Sequence, residues 1–378
     1  MVDELVTISG TVVWQLMVAA YLYFVGISAG AFILSTLSYV LGFKKYESIA
    51  KISLISAVVF ALLAPAAIAP HLSQPSRLFS LLFVFHSTSP LSWGVYILTA
   101  SVVIMLIYGR FAFRGDLVDR MRQNKGVKAS FYKTLALGQT DLSEKSLRRD
   151  LQMARIAGYA GLILAFLSIY TGFELGVIQA QPLWHLSISP LMFLITAITS
   201  GFSFALILHV VARRYFSSSK DWDTATISAV GTIMAWMLFV FLTLNVTQAI
   251  LLQYSSADAR FAYNYLVAGP LGGYFMWIGL IAGGVIPLLV FAIPWSRKPP
   301  AVSIVAGILV LVGTFVTKTG ILITAQLIPK ASSEFLTYVP SLAEVSEFVG
   351  LIGLGGFLFM IAMWILPWET GFRSGGVR

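Results

Sequence analysis

The chain has 378 residues, 58% of them hydrophobic, with a mean hydropathy of +0.86. Only 11% are charged, against about 25% in soluble domains, so the composition is that of an integral membrane protein and excludes a large soluble enzyme. The net charge of +9 sits in loops between apolar runs, which argues for membrane orientation rather than nucleic-acid binding, and with no cysteine there are no disulfides, thiolate nucleophiles or Cys-held iron–sulfur clusters.

The start, MVDELVTISG, carries Asp3 and Glu4 where a cleaved signal carries Lys or Arg, so it does not read as one. Apolar runs of membrane-spanning length predict nine helices, at 12–42, 49–70, 92–113, 153–178, 187–212, 225–252, 272–294, 301–328 and 346–367. The expected fold is an all-α integral membrane protein, one polytopic domain over 1–378. Lys and Arg concentrate in alternate links: Lys44, Lys45 and Lys51; Arg110 through Arg155; Arg213, Arg214 and Lys220; Arg297 and Lys298. That alternation predicts an outside N-terminus and an inside C-terminus. The 114–150 stretch reads as a solvated basic loop on the inner side, with room for short amphipathic helices. Close-spaced small residues predict helix contacts at Gly26, Ala29 and Gly30, at Gly279, Gly283 and Gly284, and at Gly350, Gly353, Gly355 and Gly356.

Between the second and third runs lies HLSQPSRLFSLLFVFHSTSPLSWG, residues 71–94. It is too polar and too proline-punctuated to join either run. Its backbone groups need protein or water partners. At about 1.5 Å per helical residue, most unusual polar residues fall at the same depth, near the outer surface. These are Gln15, His71, Tyr170, Glu174, Asn245, Gln248 and Lys318. Tyr170 and Glu174, four apart, share a helix face. Intramembrane ionisable residues are costly and point to function.

Blander readings stand beside these. Trp14, Trp93 and Trp184 suit interfacial anchors, His86 a surface histidine and His209 a structural one. Lys318 and Glu174 suit a structural ion pair. The four histidines lie mostly outside or at the ends of apolar runs, which argues against a b-type haem. Two-electron, two-proton exchange with a quinone is one chemistry left: it needs an apolar slot, hydrogen-bond donors such as Tyr170, and a titratable group such as His71. A cofactor-free proton channel or transporter through Glu174, Asn245 and Lys318 is the alternative, and a purely structural anchor a third.

Several stretches resemble, in order, the NrfD/polysulfide reductase membrane-subunit family. Residues 14–32 resemble its aromatic, Gly-x-x-Ala-Gly first helix. HLSQPSRL and TSPLSWG resemble its Asp-Leu-Gly-Arg-Pro-x-Arg-Phe and Thr-Ser-x-Met-Ser-Trp-Gly motifs. Residues 170–201, 318–326 and 338–344 resemble its Tyr-Thr-Gly, Gly-Gln and Tyr-x-Pro-Ser-x-x-Glu elements. Here His71 replaces the family's acidic residue, Ser73-Gln74 its Gly-Arg, and Lys318 its usual Arg. The resemblance implies a quinone-interacting subunit in the plasma membrane that oxidises quinol, or reduces quinone, near the outer surface. It implies a menaquinone-like quinone held by Gln15, His71, Ser73, Arg77, Ser92, Trp93, Tyr170 and Glu174. His71 and Tyr170 would be central, with proton transfer through Glu174, Asn245 and Lys318. The implied partners are a ferredoxin-like iron–sulfur subunit and a catalytic, molybdopterin-type subunit, with no haem or cluster in this protein.

Overall fold

A computed structural model describes residues 12–72, 80, 82–167, 170–217, 222–328 and 335–369. Nine helices among the described residues are long and apolar enough to cross a membrane. The elements are α1 Leu16–Tyr39, α2 Glu47–Ile68, α3 Pro90–Gln123, α4 Val127–Leu135, α5 Glu144–Leu167 and α6 Tyr170–Gly176. They continue as α7 Ser189–Tyr215, α8 Thr224–Gln253, α9 Ala257–Ala268, a π-helix Tyr274–Val285 running into α10 Ile286–Ala292, α11 Pro300–Leu327 and α12 Leu342–Ile365. Successive spans run up and down, so one face gathers the starts of α1, α3, α7 and α12, and the other gathers the basic links. We call these the N-terminal face and the basic face.

Local chemistry sets the helix starts. Pro90, Pro190 and Pro300 occupy first-turn positions, where a missing N–H costs nothing. Ser89, Asp223, Ser256 and Ser341 cap their helices, and Ser341 with Glu344 forms a full capping box. Asp223 does so from a left-handed φ of 45°, which Asp tolerates better than most residues. Within the expected 253–271 link the chain forms α9, whose buried Ala259, Ala262 and Leu266 fall on one helical face.

The core is built around α1, buried without interruption from Ala19 to Thr36. Two expected glycine contacts form: Gly30 packs on the Ala197 backbone of α7, and Gly283 packs on Gly313 of α11. The third largely does not. A Cβ on Gly350, Gly353 or Gly356 would meet nothing, because α12 touches the bundle along one side only. Beside it runs an apolar groove of about 440 Å³, walled by Phe24, Phe60, Phe204, Phe315, Phe348 and Phe359.

The basic face departs from the expected solvated loop. Arg114 does not end the third span; α3 continues to Gln123 and α5 begins at Glu144, so both ends of the 114–150 stretch are helical. The reason is pairing. Arg114 is fully buried, ion-paired with Asp150, and donates to the Asp141 carbonyl at 2.6 Å and to Ser146 Oγ at 2.9 Å. Lys51 and Asp116, both buried, form a second pair at 2.5 Å. Asp223 gathers Ser48 at 2.5 Å and His209 at 3.2 Å, and so clamps the α1–α2 link to the α7–α8 link. Burial alone raises the Asp223 pKa, but donors from His209, Ser48 and Thr226 outweigh it and hold the carboxyl below the usual carboxylate range. A depressed folded pKa stabilises at pH values above the unfolded one, so this clamp should persist at neutral pH and weaken only below about pH 4.

These pairs differ in what they contribute. Asp150→Ala strands a buried guanidinium and should cost about 3–5 kcal/mol. Glu144→Ala removes an exposed pair with Arg148 and should cost roughly 0.5 kcal/mol or less. Thermal unfolding of the two variants in detergent checks the contrast; equal shifts would contradict the pairing account.

Candidate functional site

At the N-terminal face, α1, α3 and α6 converge on one buried polar cluster. The Tyr170 hydroxyl, at the start of α6, shares a 3.0 Å hydrogen bond with the Tyr21 hydroxyl of α1. Glu174 lies one turn further, and its Oε1 is buried with no hydrogen-bond partner among the described residues. α3 enters this group through Gly94. A Cβ there would overlap the Tyr170 ring and come within 2.9 Å of Glu174 Oε1, so only glycine fits without a shift. Gly172 in turn seats α6 against the backbone of Ser189 and Pro190.

A second group lies between α7, α8 and α11. Lys318 is buried, its Nζ 4.7 Å from the Phe193 ring centre and 5.9 Å from that of Tyr23. Both cation–π contacts fall within the usual reach. No ion pair joins Lys318 to a carboxylate among the described residues, so the Glu174–Lys318 pair weighed from sequence is not formed. A cavity of about 20 Å³ beside Lys318, bordered by Thr196, Gln248 and Thr317, has room for one water. Asn245, one turn before Gln248, donates to the Phe241 carbonyl at 2.8 Å, and its Oδ1 is buried without a partner among the described residues.

The rim is stapled at the start of α1. Gln326 Oε1 accepts from the N–H groups of Val13 and Trp14 at 3.1 and 2.9 Å, and its Nε2 donates to the Trp14 carbonyl at 2.9 Å. The Tyr338 hydroxyl accepts from Leu16 N–H at 3.0 Å and donates to Glu344 at 2.8 Å. Burial, with the Glu344 carboxylate alongside, pushes that hydroxyl above the usual phenol range. Trp14 stacks on Trp184 at 5.1 Å; Trp184 itself is buried and donates to the Ile321 carbonyl at 3.1 Å. Trp184 is thus a packing residue more than an interfacial anchor.

His71 sits on the short turn Ala69–His71 after α2, and its Nε2 lies 2.8 Å from Glu347 Oε2 of α12. No hydrogen bond links it to Tyr170 among the described residues. Ser92 is occupied structurally, its Oγ accepting from His86 N–H at 3.0 Å. Trp93 is half-exposed and donates to the Ser87 carbonyl at 2.9 Å. Gln15 precedes α1, where its carbonyl, not its side chain, accepts the first helical bonds. Ser73 and Arg77 lie outside the described residues. Reading the sequence missed Tyr21, Gln326 and Glu347 as partners; their only signal was polarity at a span end, and none of it named a partner.

The family model "Polysulphide reductase, NrfD" matches residues 5–330. The protein is 28% identical over 371 residues to a membrane-subunit relative named for the selenate reductase of Mesobacillus selenatarsenatis, with 94% of this sequence and 85% of that one covered. It is 24% identical over 374 residues to the Hdr-like menaquinol oxidoreductase integral membrane subunit of Archaeoglobus fulgidus, covering 94% and 85%. It is 26% identical over 327 residues to a relative named for the polysulfide reductase of Wolinella succinogenes, covering 84% and 95%.

The tight seat at Gly94 has a measurable consequence. Gly94→Ala should cost about 1–3 kcal/mol by overpacking. The penalty should largely vanish in a Tyr170→Ala background, where the overlapping ring is gone. Unfolding temperatures of the four variants in this cycle decide it; an unchanged penalty would show that α3 does not rest on Tyr170.

Proposed function

The chain belongs to the NrfD polysulphide reductase family, and from that premise we propose that it exchanges electrons between a membrane quinone and an iron–sulfur partner subunit at its N-terminal face. It is a multi-pass plasma-membrane subunit of an oxidoreductase complex. The observation that carries the reading is the Tyr21–Tyr170–Glu174 cluster, with an orphaned, buried carboxylate oxygen beside Gly94. A buried polar atom without a partner is expensive unless a ligand supplies one.

The residues fit a quinone headgroup. Tyr170, held by Tyr21, presents a hydroxyl for one carbonyl oxygen, and Glu174 Oε1 is free to take or give a proton. His71, partly exposed and paired with Glu347, is placed to pass protons toward water. The groove along α12 begins at Phe348, next to Glu347, and supplies an apolar approach from the bilayer. A bound quinol supplies two electrons and two protons. The sequence has no cysteine to hold a cluster. Electrons therefore leave to a ferredoxin-like partner docked on this face, which passes them to or from a catalytic, molybdopterin-type subunit. The relative named as a menaquinol oxidoreductase subunit supports a menaquinone-type substrate. The terminal substrate belongs to the catalytic subunit, since the relatives are named for selenate and for polysulfide.

The channel alternative has less support. Mid-bundle hydroxyls are spent on their own helices: Ser200 donates to the Thr196 carbonyl, Thr314 to Val310 and Thr317 to Gly313. No continuous series of donors joins the two faces among the described residues.

Orientation follows from charge: the basic face is inside and the site outside. A cysteine placed at Lys125 should resist an impermeant thiol reagent in intact cells and react in inverted vesicles. Labelling from outside would overturn the orientation.

For the site, Tyr170→Phe removes one neutral hydrogen bond and should slow quinol-dependent reduction of the partner's clusters about threefold to tenfold. His71→Ala should cost more. His71→Asp alone sets two carboxylates face to face at Glu347, so the carboxylate substitute needs Glu347→Gln with it to restore turnover. Wild-type rates in both Tyr170→Phe and His71→Ala would sink the site.

A further inference from the structure

On the basic face, far from the tyrosine cluster, α2, α3 and the end of α12 enclose a groove of about 340 Å³ that opens toward the lipid. Its walls are apolar, with Leu54, Ile55, Val58, Met105 and Phe113 among them, and one charged side chain, Arg110, enters it. Arg110 is 20 positions past Pro90 along α3. At ~1.5 Å per residue that is about 30 Å, the thickness of the hydrocarbon core. Its guanidinium therefore lies at the depth of a phospholipid phosphate, with the apolar walls reaching into the acyl-chain layer.

The guanidinium is only partly matched by protein. Nη2 donates to Gln139 Oε1 at 3.0 Å, but Nη1 is buried and has no hydrogen-bond partner among the described residues. Neighbouring Arg114 and Asp150 neutralise each other, and no ion pair to Arg110 forms among the described residues. Over the groove sits the turn after α4. There Leu137 takes a left-handed φ of 51° while remaining 70% exposed. A large apolar side chain in that conformation gains little from its own packing, and an acyl chain lying in the groove would cover it.

We propose that this groove is a binding site for one phospholipid with an anionic headgroup: its phosphate bridges to Arg110 Nη1, and an acyl chain runs along Leu54, Ile55 and Val58. Arg pairs with phosphate through charge-assisted hydrogen bonds, and anionic lipids concentrate at basic membrane faces. The lipid fills space between α2, α3 and the loosely held end of α12.

The test uses the full-length protein in its membrane complex, delipidated and then titrated with dioleoylphosphatidylglycerol or dioleoylphosphatidylcholine, with bound lipid counted by native mass spectrometry. One phosphatidylglycerol should be retained over phosphatidylcholine. Arg110→Gln should weaken it about tenfold or more, the size of a lost charge-assisted bond. Gly109→Leu keeps the arginine but fills the groove, since a Cβ at Gly109 meets only Leu54, at 3.5 Å. It should abolish retention while leaving the unfolding temperature near that of the wild type in lipid-free detergent. Equal retention of both lipids, retention in Gly109→Leu, or displacement by inorganic phosphate alone would overturn the proposal.

Discussion

The backbones of α1 and α7 touch at Gly30 and Gly201: a Cβ on either would run into the other helix's main chain. Lipid tails offer no hydrophobic drive between helices, so close van der Waals contact of this kind holds a membrane bundle together. Because the contact buries α1, each polar side chain on that helix must find a partner within the protein. Tyr21 finds Tyr170, Tyr23 donates to the Leu311 carbonyl at 2.7 Å, and Ser28 donates to the Ala57 carbonyl at 2.8 Å. Those three bonds tie α1 to α6, α11 and α2. The candidate site is therefore a by-product of how the central helix satisfies its own polarity, with one acceptor left over.

That leftover acceptor separates the two faces. On the basic face, charge is matched: Arg114 with Asp150, Lys51 with Asp116, Asp223 with Ser48 and His209. Matched buried charge rigidifies a scaffold and does little chemistry. On the N-terminal face the rim is equally well bonded through Gln326 and Tyr338, yet Glu174 Oε1 and Asn245 Oδ1 stay unpartnered inside it among the described residues. A rigid frame around unsatisfied groups is what a ligand site requires. Arg110 is the basic face's exception, and it borders a groove.

The last span explains why grooves exist here at all. α12 meets the bundle through Phe359 and Leu351, while much of its surface, including the Gly350, Gly353 and Gly356 positions, has no protein against it. A helix held on one side leaves an apolar groove along α1 and α11 and closes the end of another beneath α4. In a bilayer such spaces are filled by the tails of lipid or of lipid-soluble substrate.

Hydropathy runs, caps and lysine–arginine counts are one-dimensional quantities, and they were enough to mark nine spans, most of their boundaries and the residues whose polarity is out of place. Tyr170, Glu174, Asn245 and Lys318 stood out because an ionisable or amide group in an apolar run is costly wherever it points. What each such group meets depends on which helix faces which, a property of the packed bundle. Tertiary structure alone set Tyr21 against Tyr170, left Glu174 and Lys318 unpaired with each other, and turned His71 toward Glu347 of the last helix. It also drew Arg114 and Asp150 out of an apparent loop into the core, because two opposite charges that would each end a membrane span can extend one when they neutralise each other.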